Sequence, residues 1–162
     1  MKPINKVLII AFLIVAVNNS FSQIQIDSNP TAEEMVEYLV GPGVYFDNVT
    51  FQGVDQATGI FTNGGTTNIG LDEGIILTSG NANIITGSNL VCSAGESNSA
   101  PGHPLLTSIS TAMTFDAAVL EFDFIPLNDT VRCYYVFGSE EYSEWVNTTF
   151  NDVFGFFASG PN

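Results

Sequence analysis

The chain has 162 residues, of which 45% are hydrophobic, 12% aromatic and only 12% charged, with a formal net charge of −14. Charged residues are about half as frequent as in a typical soluble domain, so neutral polar side chains, 42 Asn, Ser and Thr among them, carry most of the solvation. Beyond Phe21 a single basic residue, Arg132, stands against 17 carboxylates, which excludes phosphate neutralisation on nucleic acid and docking on anionic lipid.

Lys2 and Lys6 precede an unbroken apolar run from Val7 to Val17, and small residues follow at Ser20 and Ser22. That order is a secretory signal, with cleavage expected between Ser22 and Gln23. Eleven apolar residues are too few to span a bilayer, which takes about twenty in a helix. No membrane insertion beyond the signal is expected. The division is then a signal peptide at 1–22, a short leader at 23–29 and one β domain at 30–162. Cys92 and Cys133 are the two cysteines, and in an oxidising compartment an even count reads as a disulfide. Closing that loop would stabilise the fold by ~3–4 kcal/mol. The alternative is two unpaired thiols, with Cys133 buried as a small hydrophobe.

Thr31-Ala32-Glu33-Glu34 is a capping box, and Met35, Val36, Leu39 and Val40 make an apolar stripe at helical spacing before Gly41-Pro42-Gly43 stops it. Strands are expected over 44–51 and 74–80, with 82–86 as a continuation of the second. Residues 87–107 read as a long polar loop containing the lone His103. Val119 to Ile125 alternates, with Leu120, Phe122 and Phe124 expected inward and Glu121 and Asp123 outward. Pro126 and Asn128-Asp129 mark a turn into a partner strand at 131–137, and 151–159 reads as a further strand. Twelve aromatics between Phe115 and Phe157 suit the space between two sheets. The expected fold is mainly β: an antiparallel β-sandwich, jelly-roll or Ig-like, with one short N-terminal helix.

The chemistry-bearing residues gather late. Glu140, Glu141, Asn151 and Asp152 would meet at one edge if a hairpin joined their segments, forming an oxygen-rich calcium site, with Glu144 as a further ligand. The alternative is a solvated acidic face, since no EF-hand loop pattern is present. The same carboxylates allow a glycan hydrolase, with Glu140 or Glu141 paired with Asp152 or Glu144. A nucleophilic triad or zinc site lacks the histidines it needs, His103 being the only one. Tyr142 and Trp145 form a candidate sugar-stacking or protein-contact patch, the alternative being a cover over the end of the sandwich.

Several blocks, taken in order, resemble one family. These are Leu39-Val40-Gly41-Pro42-Gly43-Val44, Asn48-Val49-Thr50-Phe51-Gln52-Gly53, Gly74-Ile75-Ile76-Leu77-Thr78-Ser79-Gly80, Leu120-Glu121-Phe122-Asp123-Phe124, Phe137-Gly138-Ser139-Glu140-Glu141-Tyr142 and Asn151-Asp152-Val153-Phe154-Gly155-Phe156-Phe157. The chain is similar to choice-of-anchor L domains of secreted bacterial surface proteins. The resemblance implies a domain that continues past Asn162, followed in Bacteroidetes-like members by a type IX secretion sorting tail. It implies no reaction. The expectation is a non-catalytic extracellular module of the bacterial cell surface, acting in adhesion on a surface glycan or protein, with no cofactor apart from the candidate calcium.

Overall fold

The computed structural model describes residues 24–87, 95–110, 112–139, 145, 148 and 152–160. In chain order these form β1 (Gln25–Asp27), α1 (Ala32–Val40), β2 (Tyr45–Gln52), β3 (Thr58–Thr62), β4 (Gly74–Leu77), α2 (Pro104–Ile109) and β5 (Val119–Ile125). Short 3-10 turns occupy Asp55–Ala57, Gly64–Thr66 and Ala82–Thr86. Among the described residues all strand pairing is antiparallel. β1, β3 and β4 form one sheet with β3 central, and β2 pairs with β5 in a second. The mainly β expectation holds.

The capping box forms as the sequence predicts. Thr31 Oγ1 accepts the Glu34 amide at 3.2 Å, and the Glu34 carboxylate accepts the Thr31 amide at 2.8 Å. Two otherwise orphaned donors at the start of α1 are thereby satisfied. Gly41 ends the helix with φ of 77°, donating its N–H to the Glu37 carbonyl. Met35 and Val36 are fully buried, whereas Leu39, expected in the same stripe, is exposed. Helix α1 contacts β2, β3 and β4, so it touches strands of both sheets.

The buried hydrophobic set among the described residues is Ile24, Met35, Val36, Ala57, Ile60, Phe61, Ala82 and Ala117. It centres on β3, whose residues Thr58 to Phe61 are all buried. Gly74 makes room for the Phe61 ring, because a Cβ there would sit 2.9 Å from Phe61 Cε1. In the second sheet Asp47 pairs with Asp123 and Thr50 with Glu121, so β2 carries one extra residue between the pairs. Asn48, with φ of 54°, absorbs this bulge.

Several segments depart from the expected layout for local reasons. Ala82–Thr86 is a 3-10 turn and not a continuation of β4, because Asn81 Oδ1 accepts the Asn83 amide at 3.0 Å and turns the backbone. The polar stretch is not loop throughout: α2 begins at Pro104, whose fixed φ suits the first helical position. His103 is its N-cap, half-buried, with Nδ1 accepting the Leu105 amide at 3.3 Å. β5 does not form a hairpin with 131–137. Its partner is β2, where Phe46 meets Phe124 and Phe51 meets Leu120 across the ladder.

Neither 131–137 nor 152–159 is a strand. The two segments nonetheless meet, with the Tyr135 and Phe154 rings stacked at 4.9 Å and the Phe137 and Phe154 centroids 6.4 Å apart. Aromatics expected between two sheets remain at the surface, Tyr134 73% and Phe156 62% exposed. Cys133 is not buried either; it is exposed with a free thiol. Cys92, its expected disulfide partner, lies outside the described residues.

Candidate functional site

Two 3-10 turns and the end of β1 build a cleft. The turns at Asp55–Ala57 and Ala82–Thr86 contact each other, and the second also contacts β1 and β3. Ala57 and Ala82 are buried, and their small side chains let these backbones approach closely. The chain leaves β1 through Ser28 and Asn29, where Asp27 Oδ1 accepts the Asn29 amide at 3.3 Å. Between these pieces lies an open cleft of about 500 Å³, lined by Ser28, Asn29, Val54, Asp55, Gln56, Asn81, Asn83 and Asn98. Five of the eight lining residues are carboxamides, and one is charged.

Hydrogen bonds fix the wall. Asn98 Nδ2 donates to the carbonyls of Ser79 at 3.0 Å and Gly80 at 2.9 Å, while its Oδ1 accepts from Gln56 Nε2. Asn81 Oδ1 accepts both the backbone amide of Asn83, at 3.0 Å, and its Nδ2, at 3.2 Å. Asn81 Nδ2 in turn reaches Glu96 Oε2 at 3.5 Å. Asn98 and Asn81 are therefore the anchored members, and Gln56 and Asn83 are oriented by them. A carboxamide has one acceptor oxygen and two N–H donors. With one N–H engaged on Gln56 and on Asn83, each keeps its oxygen and a second N–H for a ligand. The Asp55 carbonyl accepts from Thr58 Oγ1 at 2.9 Å. Its carboxylate has no hydrogen-bond partner among the described residues.

This lining suits recognition. The carboxamides offer both donors and acceptors, with one anionic acceptor at Asp55 and no cation among the lining residues. A bond-breaking centre of the glycosidase kind needs two carboxylates about 5–10 Å apart, and this cleft has one. A larger open depression of about 780 Å³ lies beside β1 and α1, with Asp27, Glu34 and Glu37 in its lining. There Glu34 is committed to the helix cap and Asp27 to the Asn29 amide.

Of the oxygen-rich group expected from sequence, Asp152 alone is described; Glu140, Glu141, Glu144 and Asn151 lie outside the described residues. Asp152 is exposed, and its Oδ2 accepts from Ser139 Oγ at 2.6 Å, so the segments flanking the two aromatic motifs meet at this point. Among the described residues no group of three or more His, Cys, Asp or Glu side chains is placed to hold a metal ion. Trp145 is 42% exposed, and its carbonyl accepts the Thr148 amide at 3.1 Å and hydroxyl at 2.7 Å. Tyr142, the other half of that patch, and the Ser22–Gln23 junction lie outside the described residues. Among the described residues no helix is long and apolar enough to cross a membrane.

The amide-lined cleft was not legible as a site in the sequence. Its residues come from four separate stretches, and each alone reads as an ordinary turn former. The one signal pointing that way is the excess of neutral polar residues, 15 of them Asn.

A search of curated proteins and a search of solved structures each find no match. The model of the choice-of-anchor L domain family matches residues 23–162, which include every described strand and helix and the whole of the cleft. The chain thus belongs to the choice-of-anchor L domain family, which implies a surface or extracellular location and is not a known enzyme family.

Proposed function

We propose that this domain is a non-catalytic adhesion module, exported by its N-terminal signal to the bacterial surface, where it holds a surface glycan or a matrix protein. The observation that supports this reading is the composition of the cleft, five carboxamides and one carboxylate, with Gln56 bonded to Asn98 and Asn83 to Asn81. Such a wall can recognise a polar ligand without activating a nucleophile. Family membership supports the surface location. The acidic, low-charge surface keeps the domain soluble and unattractive to nucleic acid.

The test is a pair of assays on the exported protein. Cells or beads displaying it should attach to glycan- or protein-coated surfaces, and the same protein should release no products from polysaccharide panels. Polysaccharide turnover that disappears in Glu141→Gln would establish a hydrolase and overturn the adhesion reading.

A further inference from the structure

We infer that the cleft beside the 3-10 turns takes a neutral, polyhydroxylated ligand, an uncharged sugar unit, with Asp55, Gln56 and Asn83 as its contacting residues, Gln56 positioned by Asn98 and Asn83 by Asn81. This rests on the adhesion reading and narrows it to one site and one ligand class.

Four observations carry it. The first is size: about 500 Å³ falls within the range of roughly 300–1,000 Å³ that ligand sites span. The second is charge. The lining has no Lys, Arg or His, so nothing there compensates a phosphate, sulfate or uronate, and Asp55 repels one. A single exposed carboxylate is also a weak attractor for a cationic ligand, since exposed ion pairs are screened by water and salt.

The third is hydrogen-bond parity. A sugar hydroxyl both donates and accepts, so a run of hydroxyls needs a wall that does the same at neighbouring points. Gln56 and Asn83 each keep an acceptor oxygen and a donor N–H, and Asp55 adds a charge-assisted acceptor. The fourth is preorganisation. Asn98 is held by two backbone carbonyls and in turn holds Gln56, while Asn81 holds Asn83 twice. Ordering these side chains on binding therefore costs less than ordering free surface amides.

The experiment uses the full chain on an array of immobilised neutral, uronate-bearing and amine-bearing glycans, with deglycosylated matrix protein as a separate coat. Binding is expected on neutral glycans, with little change between 50 and 500 mM salt. The double variant Gln56→Ala/Asn83→Ala should bind at least about tenfold more weakly, the loss of roughly 1.4 kcal/mol. Asp55→Asn, which keeps the shape and removes the charge, should weaken binding less. These residues are exposed, so unchanged circular dichroism and melting confirm that the variants fold.

Retention on uronate or amine glycans alone, or neutral-glycan binding that the double variant leaves intact, overturns the inference. Attachment to deglycosylated protein with no glycan binding also overturns it while leaving the adhesion module standing. Attachment to no coat at all overturns both.

Discussion

The side-chain amide of Asn48 donates to the Asp123 carboxylate at 2.8 Å across the β2–β5 ladder. Asp47 sits directly opposite Asp123 in that ladder, so two carboxylates face each other where like charges are unfavourable. Donors surround the pair. The Asn48 backbone amide donates to Asp47 Oδ1 at 2.8 Å and Tyr45 Oη to Asp47 Oδ2 at 3.2 Å. The bulge that places Asn48 here serves both backbone and charge: the left-handed φ brings its amide and side chain to different carboxylates.

Substitutions at Asn48 should separate those two roles. Asn48→Gly keeps the left-handed φ and loses the bond to Asp123; Asn48→Ala loses the bond and places an ordinary side chain at φ of 54°. The Ala variant should lose about 1–2 kcal/mol from backbone strain beyond the loss in the Gly variant. Urea unfolding of both reads this difference directly. Equal losses would show that the bulge does not constrain the backbone.

Alkali should act on the same cluster. The Asp47 charge, then the hydrogen bond to Asp47 and slight desolvation, raise the Tyr45 phenol above its ordinary pKa of 10.0. A raised pKa stabilises the fold below the unfolded value, and that contribution disappears as pH rises through the folded one. Tyr45→Phe should therefore melt lower than the parent at neutral pH, and the gap should shrink at the alkaline end of the titration. A constant gap would place the effect in packing.

The helix cap predicts the opposite limb. Hydrogen bonds from the Thr31 amide and then the Thr31 hydroxyl interaction hold the Glu34 carboxyl below its ordinary 4.5. Its contribution is present above that value and is lost as pH falls through the folded pKa. Thr31→Ala should cost about 1 kcal/mol at neutral pH. Glu34→Gln should remove part of the acid dependence seen in the parent, measured as melting temperature against pH.

Burial on α1 gives a sharper contrast than its apolar pattern. Met35 and Val36 are 1% and 0% exposed, whereas Leu39 is 42% exposed. Met35→Ala should cost about 2–5 kcal/mol, and Leu39→Ala within about 0.5 kcal/mol. Comparable losses at the two positions would mean that Leu39 is buried in solution.

How much of this was readable in advance depends on the range of the interaction. Thr31 and Glu34 are three residues apart, and the cap between them formed as their identities dictate. Although Phe124, expected inward, is 39% exposed, the alternation of Val119 to Ile125 marked β5, because a strand's period of two is written locally. Its partner was not. A turn signal follows at Asn128-Asp129, yet β5 pairs with β2, and the Asn48–Asp123 bond spans 75 positions. Loop-closure entropy rises only logarithmically with length, so a distant strand offering Phe46 and Phe51 can compete with a near one. The cleft was hidden for the same reason: Asn29, Gln56, Asn83 and Asn98 become neighbours only after the two 3-10 turns dock.

Asn98 is where stability and recognition are coupled. Its Nδ2 is bonded to the carbonyls of both Ser79 and Gly80, and its Oδ1 accepts from Gln56. Truncating Gln56 removes one partner of one exposed bond. Truncating Asn98 releases two half-buried or exposed backbone carbonyls and the side chain that would contact a ligand. Asn98→Ala should therefore lose about 1–2 kcal/mol of stability, against a few tenths for Gln56→Ala. Asn98→Asp is the informative companion, because it keeps the acceptor for Gln56 but replaces the donor to the two carbonyls with a second acceptor. It should be at least as destabilising as Asn98→Ala, and the loosened wall should lower retention on neutral glycans. Denaturant titration alongside retention on neutral glycans measures both quantities. An Asn98→Asp variant as stable as the parent would show that the bonds to Ser79 and Gly80 do not hold the wall, and the positioning role would fall with them.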